Sequence, residues 1–569
     1  MTSIFNDPDN FAKEALAGFC KVYSDRVLPV RGGLIRRYVE ESPKVSLVVG
    51  GGSGHFPAFA GFVGPGLVDG AVAGDVFASP SAVSVVSVCR AADRGRGVLL
   101  GFGNYAGDVL NFGAAVDRLR IEGHDVRILL VTDDLASGDR GKGDRRGVAG
   151  DLAVFKIAGA AAHDGMGLDE VEAVAKLANE NTVSIGIAFA GCTLPGNAHP
   201  LFSISSGTFA LGLGIHGEPG ISEQKIIPSK ELAKMLVGRL MKECPADVTR
   251  IAPLLNGLGG TKYEELFLLW SDIEEELAKH GVTPVQPLVG EFVTSLDMSG
   301  CSLTLMWLTE RLEALWTAPC DSYVLHQGVI AERSLIERHP TIESETAAVN
   351  HATPESRKSG NCIAQILASI AKMLKSNEVF LGQLDAVAGD GDHGTGMARG
   401  SAAALTAAGL ARRNHAGAAS VLAAAGDAWA DRAGGTSGAI WGILLHSWST
   451  AFSDNASVQD QDIVRGARLS LNRVMRLGGA GKGDKTLVDA FIAFVETLEN
   501  AFNHGQKITK AWSDACDEAQ RAAEQTSTLS PKRGRARPLA HKSVGHPDPG
   551  AISFSLCAKE VGRHLRVMT

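Results

Sequence analysis

Residues 45–55 read Val45-Ser46-Leu47-Val48-Val49-Gly50-Gly51-Gly52-Ser53-Gly54-His55, an apolar run that breaks into glycines with a histidine behind them. A short run of β-branched and other apolar residues bounded by glycine reads as a strand buried on both faces. Strands of that kind belong to helix-covered parallel sheets, and open α/β sheets bind ligands at the carboxyl ends of their strands. Similar runs follow at Val98–Phe102, Val126–Val131 and Val183–Phe189, with Ala-rich helical spacing between them at Ser81–Asp93 and Val109–Ile121. Residues 248–260, the amphipathic run Tyr263–His280 and the signals near Phe292–Leu315 continue the pattern. The N-terminal part is predicted to be an α/β domain with largely parallel sheets.

After a polar, proline-containing stretch the text changes character. Ala-rich helical runs dominate, at Cys362–Lys375, Gly400–Leu410, Ala416–Asp431, Ile463–Leu477, Thr486–His504 and Ile508–Thr526, so the C-terminal part is predicted to be all-α. The expected division is a domain over 1–335, a linker over 336–358 and a helical domain over 359–569.

The chain has 569 residues, 45% of them apolar and 21% charged, enough for two packed cores. With 55 Lys plus Arg against 63 Asp plus Glu, the net charge of -8 offers no field for a nucleic acid or an anionic membrane. Nine cysteines, widely scattered and with no C-x-x-C pair, indicate reduced thiols. No leader is visible, and the uncharged stretch Thr182–Ile215 is interrupted by Pro195, Asn197, His199 and Pro200, which is unlike a membrane span. The expectation is a cytoplasmic protein without nucleic-acid or membrane partners.

The glycines after the first strand fit neither G-x-G-x-x-G nor the P-loop pattern. They read either as a tight turn or as backbone opened towards a polar ligand, with His55 where a ligand would lie. Asp108, closing the run Gly101-Phe102-Gly103-Asn104-Tyr105-Ala106-Gly107, falls at the same sheet edge and reads as an acid/base group, as the cap of the following helix, or as both. His216 sits among four glycines and a proline in 212–220. In the helical part, Asp385, Asp390 and Asp392 place three hard oxygen donors within eight positions, a pattern that suits Mg²⁺ completed by phosphate oxygens. Gly434-Gly435-Thr436-Ser437-Gly438 and 478–486 are glycine turns before helical runs, natural phosphate cradles.

These motifs, with NGLGGT, TSLDMSGCSLTL, GRA and GHPDPGA in the same order, make the chain similar to the single-chain ATP-dependent dihydroxyacetone kinases over nearly its whole length. The resemblance implies a ketose-binding α/β domain, an all-α nucleotide-binding helical barrel carrying ATP and two Mg²⁺ ions, and a homodimer. It implies that His216 captures the ketone as a hemiaminal, that His55 and Asp108 act as acid and base, and that Gly52, Ser53 and Gly54 lie against the ketose. Asp385, Asp390 and Asp392 match the metal carboxylates; His393, Gly394, Thr395, Gly396, Thr436, Ser437, Gly478, Leu487, Arg535, Asp548, Pro549 and Gly550 match the nucleotide motifs. Where such kinases commonly carry a carboxylate and an imidazole after His55, this chain has Phe56 and Phe59, which makes the pocket less polar and places erythrulose ahead of dihydroxyacetone as the substrate. If the two rings face the core instead, the departure changes nothing. The competing functions are an FAD-AMP lyase forming cyclic FMN, which would not need His216, and a non-catalytic regulatory binding protein.

Overall fold

The computed structural model describes residues 2–138, 145–218, 220–331, 333–339, 352–389, 391–532 and 540–568. Two compact units emerge, Met1–Asp108 with Ala115–Ile342, and Val109–Ala114 with Glu343–Thr569.

The first unit contains strands β1 (Val27–Val30), β2 (Gly33–Arg36), β3 (Tyr38–Glu40), β4 (Ser46–Ser53), β5 (Gly70–Val76), β6 (Val98–Gly103), β7 (Val126–Val131), β8 (Thr182–Ala190), β9 (Thr208–Leu211), β10 (Ser222–Lys225), β11 (Arg250–Gly257), β12 (Thr283–Pro284), β13 (Leu288–Gly290) and β14 (Ser299–Trp307). Its helices are α1 (Phe11–Val22), α2 (Ala82–Ala92), α3 (Ala106–Ile121), α4 (Gly150–His163), α5 (Leu168–Glu180), α6 (Ser229–Leu240), α7 (Tyr263–Lys279) and α8 (Glu310–Trp316). One sheet has the order β1-β2-β5-β4-β6-β7. Its inner run β5-β4-β6-β7 is parallel, as the buried runs predict, and β1 and β2 are antiparallel additions at the edge.

The second sheet, β10-β9-β8-β14-β11-β12 with β13 also on β11, corrects the expectation of largely parallel sheets. Only the pairings of β11 with β12 and β13 are parallel; the rest are antiparallel. The reason is physical: a strand covered on both faces is apolar whichever way its neighbour runs, so β8, β11 and β14 announce their burial but not their direction.

Helix α4 lies between the two sheets, and its residues from Gly150 to Ala162 are all buried. One core joins it to Leu47, Val49, Leu99 and Leu129 of the first sheet and to Ala188, Leu254 and Met306 of the second. Phe155 and Ile157 are fully enclosed there, each contributing roughly 1.5–3 kcal/mol of burial. A second core covers the other face of the second sheet with α6 and α7, through Leu236, Val237, Ile273 and Leu277.

The second unit is helical: α9 (Pro354–Ser376), α10 (Glu378–Asp385), α11 (His393–Arg413), α12 (Ala418–Ala433), α13 (Gly435–Ser449), α14 (Asp460–Gly478), α15 (Leu487–Asn503), α16 (Ile508–Gln525), α17 (Ala540–Ser543) and α18 (Pro549–Met568). Residues 354–358, read as linker, are instead the opening of α9: Thr353 accepts from the Ser356 amide and Pro354 takes the first helical position, where its missing N–H is no loss. Among the described residues no helix is long and apolar enough to cross a membrane.

Candidate functional site

Four adjacent parallel strands deliver side chains to one edge of the first sheet. Beyond β4 comes His55, beyond β5 Phe77 and Ser79, beyond β6 Tyr105 and Asp108, and beyond β7 Asp133 and Asp134. Gly54 makes the turn out of β4 with φ of +99°, a backbone state that glycine adopts without strain. The Ser53 hydroxyl donates to the Gly74 carbonyl at 2.6 Å. Phe77, at φ of 55°, is a bulky residue in the left-handed region, a strain that its neighbours must hold in place. Its ring stacks on His55 at 5.0 Å and meets His216 edge-on at 5.1 Å.

His216 arrives on the turn after β9, and its Nε2 stands 3.0 Å from Nε2 of His55. The other ring nitrogens decide what lies between them. Nδ1 of His55 is 2.8 Å from the Thr294 carbonyl, so it must carry a hydrogen. Nδ1 of His216 is 2.9 Å from the Glu218 carboxylate and carries one as well. Two bare Nε2 lone pairs would repel at 3.0 Å, so the contact holds one shared proton. Burial, reinforced by His216, pushes His55 down to about 3, which makes it a poor resting place for that proton and a ready donor. Burial alone would raise Glu218, but His216 and then Arg146 reverse this and hold its carboxyl below the usual carboxylate range. Arg146 is 3.6 Å from Glu218 and 2.7 Å from Asp134.

Residues 292–296 hold both histidines. Asn256, fully buried on β11, accepts from the amides of Phe292 and Val293 at 2.9 Å each and donates to the Val293 carbonyl at 2.8 Å and Ser302 Oγ at 3.1 Å. Thr294 then fixes His55, and the buried Ser295 hydroxyl donates to the Ile215 carbonyl, at 2.5 Å, immediately before His216. Asp108, in the first turn of α3, accepts from Ser79 and lies within the field of His216; burial outweighs both and pushes its acid up to about 6. The N-cap of α3 is Tyr105, and Asp108 stands in the first turn behind it.

In the helical unit four helix N-termini converge. His393, first residue of α11, is 3.2 Å from Ser437 Oγ in the first turn of α13 and 3.0 Å from Ser553 Oγ on α18. A Cβ on Gly550 would stand 3.4 Å from Leu487, which opens α15. Aligned backbone dipoles and free N–H groups at such ends favour phosphate. A Cβ on Gly394 would fall 1.9 Å from the Glu378 carbonyl, so only glycine lets α10 and α11 approach this closely. Thr395 bonds Glu378, Thr436 and Gly396 lie in the first turns of α13 and α11, and Asp548 caps α18 by accepting from the Ala551 amide at 2.8 Å. Gly478 ends α14 rather than preceding a helix directly; the cap of α15 is Thr486.

Asp385 accepts from the amides of Gly391 at 2.9 Å and His393 at 3.4 Å. Burial raises Asp392 and the charge of Asp385 raises it further; burial pushes Asp548 up to about 7, with Asp489 and Asp385 adding to it. Acids that repel one another beside helix N-termini suit a hard divalent cation bound together with phosphate. Asp390 and Arg535 lie outside the described residues, and among the described residues no three His, Cys, Asp or Glu side chains gather round one point.

Phe56 and Phe59 are not where a less polar pocket required them. Phe56, 43% exposed, joins Phe19 at 5.6 Å and Tyr323 at 5.2 Å, while Phe59 packs on the core beside Phe62 and over Gly51. The rings that meet His216 are Phe77 and Tyr105. Sequence reasoning also missed Glu218, although its place two residues after His216 was a readable signal; nothing in the sequence pointed to Phe77, Thr294 or Asn256.

An imidazole pair sharing a proton at the edge of an α/β sheet, and a helical unit whose helix ends favour phosphate, define a phosphotransferase built of two unlike units. A Dak1 domain matches residues 17–324 and a DAK2 domain residues 387–562. The chain is 49% identical over 568 residues to a D-erythrulose kinase of Mycolicibacterium smegmatis, covering 99% of this chain and 98% of that one. It is 48% identical over 563 residues to an L-erythrulose kinase of Pectobacterium atrosepticum, covering 98% and 95%. The dihydroxyacetone kinase of C. freundii in complex with AMP-PNP and Mg²⁺ is similar in structure, with a TM-score of 0.52 at 29% identity over 98% of this chain and 99% of that one. The chain belongs to the dihydroxyacetone kinase family.

Proposed function

We propose that the protein is an ATP-dependent erythrulose kinase that holds the ketose covalently on His216. The observation that carries this reading is the 3.0 Å contact between Nε2 of His216 and Nε2 of His55, with both Nδ1 atoms committed as donors. Such a pair suits a carbonyl. The shared proton shifts to Nε2 of His55 and so frees the Nε2 lone pair of His216, which forms a bond to the carbonyl carbon; the C=O π pair moves to oxygen, and His55 passes its proton to that oxygen. The imidazole left with substituents on both nitrogens is cationic, and Glu218, kept ionised by His216 and Arg146, neutralises it. Polyols have no carbonyl and are rejected.

Asp108 takes the proton from a terminal hydroxyl as its oxygen attacks the γ-phosphate. On the helical unit, Asp385, Asp390 and Asp392 would hold Mg²⁺, which neutralises charge on the β- and γ-phosphates. His393 to Gly396, Thr436, Ser437, Gly478, Leu487, Arg535 and Asp548 to Gly550 would hold the nucleotide. In this reading 1–335 is the ketose domain, 359–569 the nucleotide domain, two ions are used, and the enzyme is a cytoplasmic homodimer. The two kinase relatives, of opposite stereochemical name, support erythrulose over dihydroxyacetone for this chain.

The test is ATP consumption with Mg²⁺ over D- and L-erythrulose, dihydroxyacetone, glyceraldehyde, glycerol and erythritol, with His216→Ala in parallel. An erythrulose enantiomer is expected to give the highest kcat/KM, and His216→Ala to lose at least about a thousandfold. Equal turnover of erythritol, or an active His216→Ala enzyme, would sink covalent capture; preference for dihydroxyacetone would sink the substrate.

A further inference from the structure

The two imidazoles come from different sheets. His55 follows β4 of the first sheet and His216 follows β9 of the second, so their 3.0 Å contact requires the two sheets to keep register where these turns meet. Segment 292–296 supplies one tie. A second starts from the chain between β7 and α4, where Arg146 is rooted on the first sheet's side. Its Nε and Nη2 stand 2.9 and 2.7 Å from Oδ2 of the buried Asp134. Its amide donates to Ser137 Oγ at 2.9 Å, and its carbonyl accepts from the Asp134 amide at 3.0 Å.

The remaining guanidinium nitrogen of Arg146, Nη1, stands 3.6 Å from Oε2 of Glu218. That oxygen accepts from the His216 amide at 3.0 Å, while Oε1 faces His216 Nδ1 at 2.9 Å. With the side chains of Arg146 and Glu218 only 13% and 28% exposed, the pair is sheltered from the screening that empties most surface ion pairs of value. Gly214 leaves the room for it: a Cβ there would overlap Glu218 Oε2 and stand 2.5 Å from Arg146 Nη1. Both atoms are tips of flexible side chains, so at this position the fold can yield and the contact cannot. Arg145 repeats the bridge beside it. Its guanidinium pairs with Glu243, after α6, at 2.6 and 3.1 Å, and its carbonyl accepts from Asn104 Nδ2 at 2.8 Å, in the loop that leads to Asp108.

Building on the kinase reading above, we propose that Arg146 is a positioning residue of ketone capture: anchored on Asp134, it fixes Glu218 against the amide and Nδ1 of His216 and so sets His216 Nε2 in register with His55. A planar fork serves Asp134 with two nitrogens and Glu218 with the third, which the single nitrogen of a lysine does not. The test is a double-mutant cycle on kcat/KM for the ketose, with Arg146→Met and Glu218→Gln singly and together, and Gly214→Ala beside them. Arg146→Met should lower kcat/KM by about tenfold or more and leave the KM for ATP unchanged. In the Glu218→Gln background the same substitution should cost less than about twofold, because its route to His216 through Glu218 is already gone. Gly214→Ala keeps both charges and should reproduce the loss; if Arg146→Met does not fold, with Asp134 left buried and unpaired, Gly214→Ala decides alone. An equal cost of Arg146→Met in both backgrounds would place its action elsewhere, and the proposal falls; it falls equally if Gly214→Ala keeps the wild-type kcat/KM. The downfield proton resonance of His216 Nδ1–H in the intact protein, identified by its loss in His216→Ala, is a readout independent of turnover. Arg146→Met and Gly214→Ala should shift or broaden it. An unmoved resonance would overturn the assignment, whereas a moved one in a protein that phosphorylates no ketose would refute the kinase reading alone.

Discussion

Asp108 carries two opposed consequences of its burial. With its acid raised to about 6 from an ordinary 3.8, the folded protein binds that proton more tightly than the unfolded chain does. Stability from this group therefore falls as pH rises between those values, and above about 6 the full penalty, on the order of 3 kcal/mol, is present. As the proposed base, Asp108 can accept the substrate proton only as a carboxylate, so activity should fall as pH drops through about 6. Asp108→Asn separates the two effects: kcat should drop roughly 10²–10⁴-fold, while the Tm should rise at about pH 8 and hardly change near pH 4. Thermal melts and initial rates on the same preparations check both signs, and a variant less stable at the higher pH would contradict the burial argument.

Among the elements, the segment 292–296 reaches His55 through the Thr294 carbonyl and the residue before His216 through the Ser295 hydroxyl, and Ser295 is its most economical probe. Its hydroxyl holds the carbonyl of Ile215, one residue before His216. Removing one buried hydrogen bond costs about 1–3 kcal/mol of stability, but a displaced imidazole costs capture. Ser295→Ala should lower kcat/KM for the ketose by about tenfold or more and leave the KM for ATP unchanged. A fall in stability with unaltered kcat/KM would reduce the segment to packing. The element scale also shows how far pattern reading reaches: β4, β6, β7 and β8 lie within a few residues of their predicted runs, whereas the polar, proline-containing stretch before 359 hides the start of α9, where Pro354 follows the Thr353 cap.

Across the whole molecule the proposed function assigns its two chemistries to different units, which makes them separable by experiment. Asp385 organises the loop before α11, and the proposed function gives it no part in holding the ketone. Asp385→Asn should abolish Mg²⁺-dependent ATP turnover by at least about a hundredfold, yet a carbonyl-labelled erythrulose should still lose its ketone ¹³C resonance on binding. His216→Ala should show the reverse defect in the adduct assay. If Asp385→Asn also loses the adduct, the assignment of separate roles fails.

The order of glycine, histidine and aspartate motifs was enough to reach the family and both domain types, and to put forward His216, Asp108, Asp385 and Asp392 as candidates, because loops that meet ligands with backbone and small side chains keep their chemistry local in sequence. The preference for a tetrulose was reached through Phe56 and Phe59, and the fold sends those rings elsewhere, one to Tyr323 and one to the core. Strand direction in the second sheet, the strained Phe77 wall, the Thr294 carbonyl that sets the tautomer of His55, and the meeting of His55 with His216 were decided by tertiary structure alone. Each depends on residues far apart in the chain coming within a few ångströms, with burial then changing their hydrogen bonding and charge, and no local pattern encodes which distant carbonyl or carboxyl will be the neighbour.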